Sequence, residues 1–369
     1  MRGSGFFAVV AVICIMCPQL SAAQSPQKAD SGRYFLIATS FHRGRILIQD
    51  QRAAYLVQND PWNARLDLSV VKNTQRTWNY CNCYSKNGVS LSYVDFGNPA
   101  NLGHAINLAV YTEPYLSFSN KLQFSFRGGT GFAYLNRTFN ALTNPDNTFY
   151  SRKLSFLLLL NLNAYYAVTP SLRASLTAQF SHISNGGARD PNWGINYPTI
   201  GIGLEYMLQP HILKPREHQP FTDRSIRIIT HLFGGQRPLE GHGAFPDEKG
   251  TIAGINTGVV KPLGRINALG LGGELYYDGT NRLRQNRDNK NYDAVIGALS
   301  IQHYFFFGRL LFGQQFAYQI THLNPDLSKH IYQRYFLEYR LRPHWYAGVT
   351  LKAYGNISEN VSLTTSIVF

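Results

Sequence analysis

Residues 152–168 read Arg-Lys-Leu-Ser-Phe-Leu-Leu-Leu-Leu-Asn-Leu-Asn-Ala-Tyr-Tyr-Ala-Val, and this alternation constrains the chain more than any other stretch. In an extended strand, side chains two apart share a face. Leu154, Phe156, Leu158, Leu160 and Leu162 therefore make one apolar face, and Lys153, Ser155, Asn161 and Asn163 mark most of the other. The same pattern returns where Leu122, Phe124 and Phe126 oppose Gln123, Ser125 and Arg127, and where Ile200, Ile202, Leu204, Tyr206 and Leu208 line one face. Short alternating segments separated by turn residues, in a chain that is 14% aromatic with 23 Tyr and 23 Phe, are the signature of a transmembrane β-barrel. Past residue 23 no apolar run reaches the length of a membrane helix. A secreted β-sandwich is the competing arrangement.

Strands are expected at 65–72, 89–96, 104–117, 121–134, 152–168, 172–184 and 200–208. A further set lies at 225–234, 251–260, 266–277, 292–307, 310–322, 331–341, 345–354 and 360–369. Pro210, Pro215 and Pro220 punctuate a polar stretch at 211–224, the best internal boundary. The expected organisation is a signal peptide over 1–23, a polar lead-in over 24–60 with one short strand at 34–39, a first barrel region over 61–210 and a second β-rich region over 211–369. Leu204-Glu205-Tyr206-Met207-Leu208-Gln209-Pro210 returns as Leu337-Glu338-Tyr339-Arg340-Leu341-Arg342-Pro343. The fold is therefore all-β and antiparallel: one transmembrane barrel of about 14–16 strands, or two eight-stranded units in tandem.

Arg2, the apolar run from Phe7 to Cys17 and Ser21-Ala22-Ala23 have the order of a secretory signal. Export makes nucleic acid an improbable partner for the net charge of +14. Basic residues scattered at strand ends suit anionic lipid headgroups instead. The terminal strand ends on Phe369 and resembles the recognition signal of the barrel-insertion machinery, which points to the outer membrane of a Gram-negative bacterium. Cys81 and Cys83, separated by Asn82, form a local disulfide or stay as two thiols; without a nearby His they do not make a metal site.

Chemistry concentrates in one place. His182 and Ser184 share the parity of Leu172, Ala174, Leu176, Ala178 and Phe180, which places an imidazole and a hydroxyl together on the apolar face of a strand. Asn185-Gly186-Gly187 follows as a turn. Alone, His-x-Ser is a weak signal. Other histidines, including His242 and His322, lack an obvious partner nearby.

His182-Ile183-Ser184-Asn185-Gly186-Gly187 with Pro191-Asn192-Trp193-Gly194-Ile195-Asn196 resembles the lipid A 3-O-deacylase family, outer-membrane barrel hydrolases with the motif His-x-Ser-Asn followed by Pro-Asn-x-Gly-Ile. The resemblance is specific there and extends over 64–210. It implies that Ser184 is a nucleophile, His182 its general base, and Asn185 with Gly186 or Gly187 the oxyanion donors. It further implies lipid A of lipopolysaccharide as substrate and no metal or organic cofactor, and leaves room for a homodimer. The family has a glutamate fourteen residues after the His, where this chain has Asn196. Asn196 ranks first as the group that orients His182, then Asp190, then Glu205, whose parity turns it into the barrel. A barrel without turnover, acting as a channel, structural or lipid-binding protein, is the alternative.

Overall fold

The computed structural model describes residues 32–369, apart from 49–50, 117–120, 188, 190, 210–212, 214–215, 240, 242–244, 322–329 and 356. The expected signal over 1–23, Asp190, His242 and His322 lie outside the described residues. Two compact units are present. The sixteen strands close into two rings of eight, the second of the two arrangements left open by the sequence.

The first barrel is an antiparallel meander of β1 (Gly32–Gly44), β2 (Trp62–Asn73), β3 (Ser85–Asp95), β4 (His104–Pro114), β5 (Leu122–Leu135), β6 (Leu154–Ala167), β7 (Leu172–Ser184) and β8 (Ile195–Met207). It closes where β1 pairs with β8, Leu36 opposite Met207 and Phe41 opposite Ile202. Within the polar lead-in expected over 24–60, the short strand expected at 34–39 is longer, Gly32–Gly44, and is a full strand of the wall. Its outward set Phe35, Ile37 and Phe41 is exposed. Its inward set mixes Leu36 and Ala38 with Ser40 and His42, so the alternation that marks β6 is blurred here.

The second barrel runs β9 (Arg227–Leu239), β10 (Glu248–Pro262), β11 (Asn267–Asp278), β12 (Val295–Phe307), β13 (Leu310–Gln319), β14 (Ile331–Arg342), β15 (Trp345–Tyr354) and β16 (Ile357–Val368), and closes through β16 on β9. The two halves of the internal echo fall on β8 and β14, the eighth strand of one ring and the sixth of the other. What they share is a buried inward carboxylate, Glu205 or Glu338.

Outward positions carry the exposed leucines, isoleucines and aromatics of both walls. Inward positions are polar, and they are filled. In the first barrel Lys86 Nζ sits 2.8 Å from both Glu113 and Glu205 and donates to Tyr165 Oη at 2.7 Å. Arg127 bridges Glu113 and Asp67, each at 2.7 Å. In the second, Arg334 makes a two-point contact with Glu274 at 2.6 and 2.7 Å, and Glu338 meets His231 at 3.1 Å and Thr364 at 3.0 Å. An eight-stranded interior is just wide enough for side chains to fill. Buried ions are tolerable there because each is held by an opposite charge or by several hydrogen-bond partners.

The two ends of the first barrel differ. The connections after β1, β3, β5 and β7 span 45–61, 96–103, 136–153 and 185–194; those at the other end span 74–84, 115–121 and 168–171. At the long-loop end, Ile46, Ala53, Leu56, Phe96, Leu102, Phe149 and Tyr150 form an apolar plug. At the other end helix α1 (Gln75–Cys81) is capped by Thr74 and buries Trp78. Of the two cysteine states expected, the structure has the disulfide, Cys81–Cys83. A strap follows β8: Arg216 donates to Tyr84 Oη at 2.8 Å and Trp78 Nε1 donates to the Glu217 carbonyl at 3.0 Å.

Candidate active site

β7 ends in the long-loop half of its barrel, and its last outward residues are Phe180, His182 and Ser184. The register fixes their neighbours. Ser184 lies opposite Phe156 and His182 opposite Leu158 on one side; His182 lies opposite Asn196 on the other. The apolar neighbours are exposed wall residues, Leu158, Leu160 and Phe180, and the exposed Ile200 and Ile202 continue the apolar face further along β8.

Within this apolar surround the three polar side chains meet. His182 Nδ1 is 2.7 Å from Asn196 Oδ1, and Nε2 is 3.0 Å from Ser184 Oγ. An amide oxygen can only accept, so the ring carries its proton on Nδ1 and donates it to Asn196. Nε2 is then bare and accepts from the Ser184 hydroxyl. An imidazole held on one side with its free nitrogen on a hydroxyl is the arrangement that makes serine nucleophilic. Asn196 is itself fixed, since its carbonyl accepts from Leu47 N–H at 2.8 Å.

Gly194 holds the site from the next loop. Its φ of +71° lies in the left-handed region, and a Cβ there would stand 2.8 Å from His182 Cε1 and 3.3 Å from Ser184 Cβ. Only glycine lets the backbone lie this close to the imidazole. The loop after β5 braces it: Gly194 N–H donates to the Phe149 carbonyl at 2.9 Å and Trp193 N–H to that of Thr148 at 3.2 Å. Gly186 and Gly187 follow Ser184 and Asn185 with φ of +66° and +78°, turning the chain immediately after the hydroxyl.

Asn185 is buried, and its side-chain amide donates to Ser151 Oγ at 3.1 Å. Its backbone N–H donates to Asn192 Oδ1 at 2.9 Å. Ser151 and Asn192 are supports that the sequence reading missed. Asn192 stood inside the motif, but nothing in the sequence pairs residue 151 with residue 185. Glu205, third in rank as the orienting group, is inside the barrel and bound to Lys86 and Arg173, so it has no access to His182.

Two family models match the chain. One, described as lipid A 3-O-deacylase (PagL), covers residues 60–205; the other, described as acyloxyacyl hydrolase, C-terminal domain, covers residues 226–369. No curated protein matches. Among solved structures, the outer membrane enzyme PagL is 16% identical over 45% of this chain and 97% of its own, with a TM-score of 0.33. Neisserial surface protein A is 8% identical over 47% of this chain and 98% of its own, at 0.32. The toluene transporter TodX of Pseudomonas putida is 9% identical over 100% of this chain and 93% of its own, at 0.20. Likenesses that low carry nothing about function. The family models do: with one on each barrel, the chain belongs to the lipid A 3-O-deacylase family, acyl hydrolases of the Gram-negative outer membrane.

Proposed function

We propose that this protein is a serine esterase that removes the acyl chain ester-linked at the 3-O position of lipid A, with Ser184 as nucleophile, His182 as general base and Asn196 as the group that orients the base. The observation that carries the reading is the single imidazole joined to Asn196 at 2.7 Å and to Ser184 at 3.0 Å on the outward wall. Long loops of outer-membrane barrels face the outside and short turns the periplasm. That rule puts Ser184 at the outer rim, where lipid A arrives sideways with its chains in the bilayer.

Ser184 Oγ attacks the ester carbonyl carbon while its proton passes to His182 Nε2. The tetrahedral intermediate collapses, the sugar oxygen leaves with that proton, and the acyl group stays on Ser184. Water then attacks the acyl-enzyme, again giving a proton to Nε2; the second intermediate collapses, Nε2 returns that proton to Ser184 Oγ, and the free fatty acid departs. Base catalysis of this kind contributes about 10²–10⁴-fold. We assign the oxyanion to the Gly186 N–H and the Asn185 amide, which exchanges its Ser151 contact for the substrate oxygen; such a donor contributes on the order of 10²–10³-fold. Asn196 supports the imidazolium through a neutral acceptor only, which makes a weaker base than a carboxylate partner does.

The test is mass spectrometry of lipid A from cells expressing wild type or Ser184→Ala, with both proteins inserted. Loss of one ester-linked acyl chain in wild type alone is expected. Identical spectra favour an inert barrel, the reading to which the missing carboxylate at position 196 lends support.

A further inference from the structure

We propose that Arg152 recognises a phosphate of the lipid A substrate and sets the preference of the site for phosphorylated over dephosphorylated lipid; this rests on the assignment of Ser184 made above. The outward residues of β6 run Leu162, Leu160 and Leu158, all exposed, then Phe156 level with Ser184, then Leu154. Beyond Leu154 the composition switches to Arg152-Lys153. A lipid whose scissile ester lies at Ser184 has its chains against the leucines and its charged headgroup past the strand end. From Phe156 to Arg152 is about 13 Å along the chain at a strand's rise, a span that a sugar ring and an arginine side chain cover together.

Arg152 is half-buried rather than fully solvated. Its Nε is buried with no hydrogen-bond partner, and among the described residues its guanidinium makes no hydrogen bond or ion pair. The carboxylate of the same loop, Asp146, is engaged by Tyr55. A buried guanidinium N–H left unpaired is costly, and the buried Lys86 and Arg127 of this barrel are each paired with two carboxylates. A bound anion would supply that partner. A phosphate monoester fits, because a guanidinium fork matches its oxygens at two points. The residue is also mechanically tied to the site: its neighbour Ser151 accepts from Asn185, next to the nucleophile.

The experiment compares kcat/KM in detergent micelles for lipid A carrying both phosphates and for the same lipid after phosphatase treatment. Wild type is expected to favour the phosphorylated form about tenfold or more, the size of a charged hydrogen bond. Arg152→Gln should bring the ratio close to one, chiefly through KM, and Arg152→Lys should keep part of it. A wild-type ratio near one, or an equal loss on both lipids in Arg152→Gln, overturns the proposal and leaves Arg152 a packing residue. If Arg152→Gln does not insert, the wild-type ratio and Arg152→Lys still decide. Inorganic phosphate is a separate arm: competition as strong as that of the dephosphorylated lipid's missing group marks a free-phosphate site and also overturns it. Ser184→Ala keeps the two claims apart. Its activity on either lipid sinks the nucleophile assignment, whatever the ratio says about Arg152.

Discussion

Replacing Asn196 by Asp changes a neutral acceptor into a charged one without changing its length. In the present geometry Oδ1 lies 2.7 Å from His182 Nδ1, so the carboxylate oxygen lands in place. A neutral hydrogen bond contributes about 0.5–1.5 kcal/mol net, and one to a charged group about 1.5–3. The difference, about 1–1.5 kcal/mol, acts when the ring becomes imidazolium in the transition state. Tenfold in rate corresponds to about 1.4 kcal/mol. Part of the gain is offset by desolvating a carboxylate on a half-buried apolar wall, which leaves an expected rise of about 5–10-fold in kcat/KM. Asn196→Glu should raise or preserve activity, its extra methylene costing some alignment. Asn196→Leu removes the acceptor, frees the ring to turn or change tautomer, and should lower activity by about 10²-fold, within the range that base catalysis contributes. The assay is acyl release from lipid A by purified protein, with folding checked by the shift in gel mobility between heated and unheated samples. Wild-type activity in folded Asn196→Leu, or abolished activity in folded Asn196→Asp and Asn196→Glu, refutes the orienting role.

Gly194→Ala should cost about 10–10²-fold in kcat/KM while the barrel stays folded, because the new methyl meets His182 Cε1 and a misplacement of 1 Å can cost about 10²-fold; unchanged kinetics would show that the loop does not position the ring. Lys86→Met leaves Glu113 and Glu205 without their shared cation and should destabilise the first barrel by about 3–5 kcal/mol, read from urea midpoints; a loss below about 1 kcal/mol contradicts the account of the interior. Arg334→Met should do the same to the second barrel by stripping Glu274 of its two-point partner. In that variant, lipid A hydrolysis by a protein still folded in its first barrel should persist, since every assigned residue lies on β6, β7, β8 and their loops.

The sequence was most readable where the two faces of a strand differ most. β6, with its leucines against Asn161 and Asn163, could be placed outright, and so could the shared face of His182 and Ser184. β1 was read only as a short strand at 34–39 in the lead-in, because its inward face carries Leu36 and Ala38 beside Ser40 and His42, so its two faces look alike. Strand count alone does not tell one ring from two, because closure depends on which strands bond. β8 carries no residue that announces β1 as its neighbour. The meeting of His182 with Asn196 was accessible from parity and the intervening turn. The contact from Ser151 to Asn185 was not, since it joins loops that only the closed wall brings together.

Each ring seals its own seam, β1 on β8 and β16 on β9. Neither half therefore depends on a strand from the other to satisfy its backbone, and a lesion at one seam need not open the next. Melting should accordingly proceed in two separate steps rather than one. The halves are also unequal in chemistry: the second has an intact wall and a packed interior, while its sequence over 226–369 carries no His-x-Ser pair.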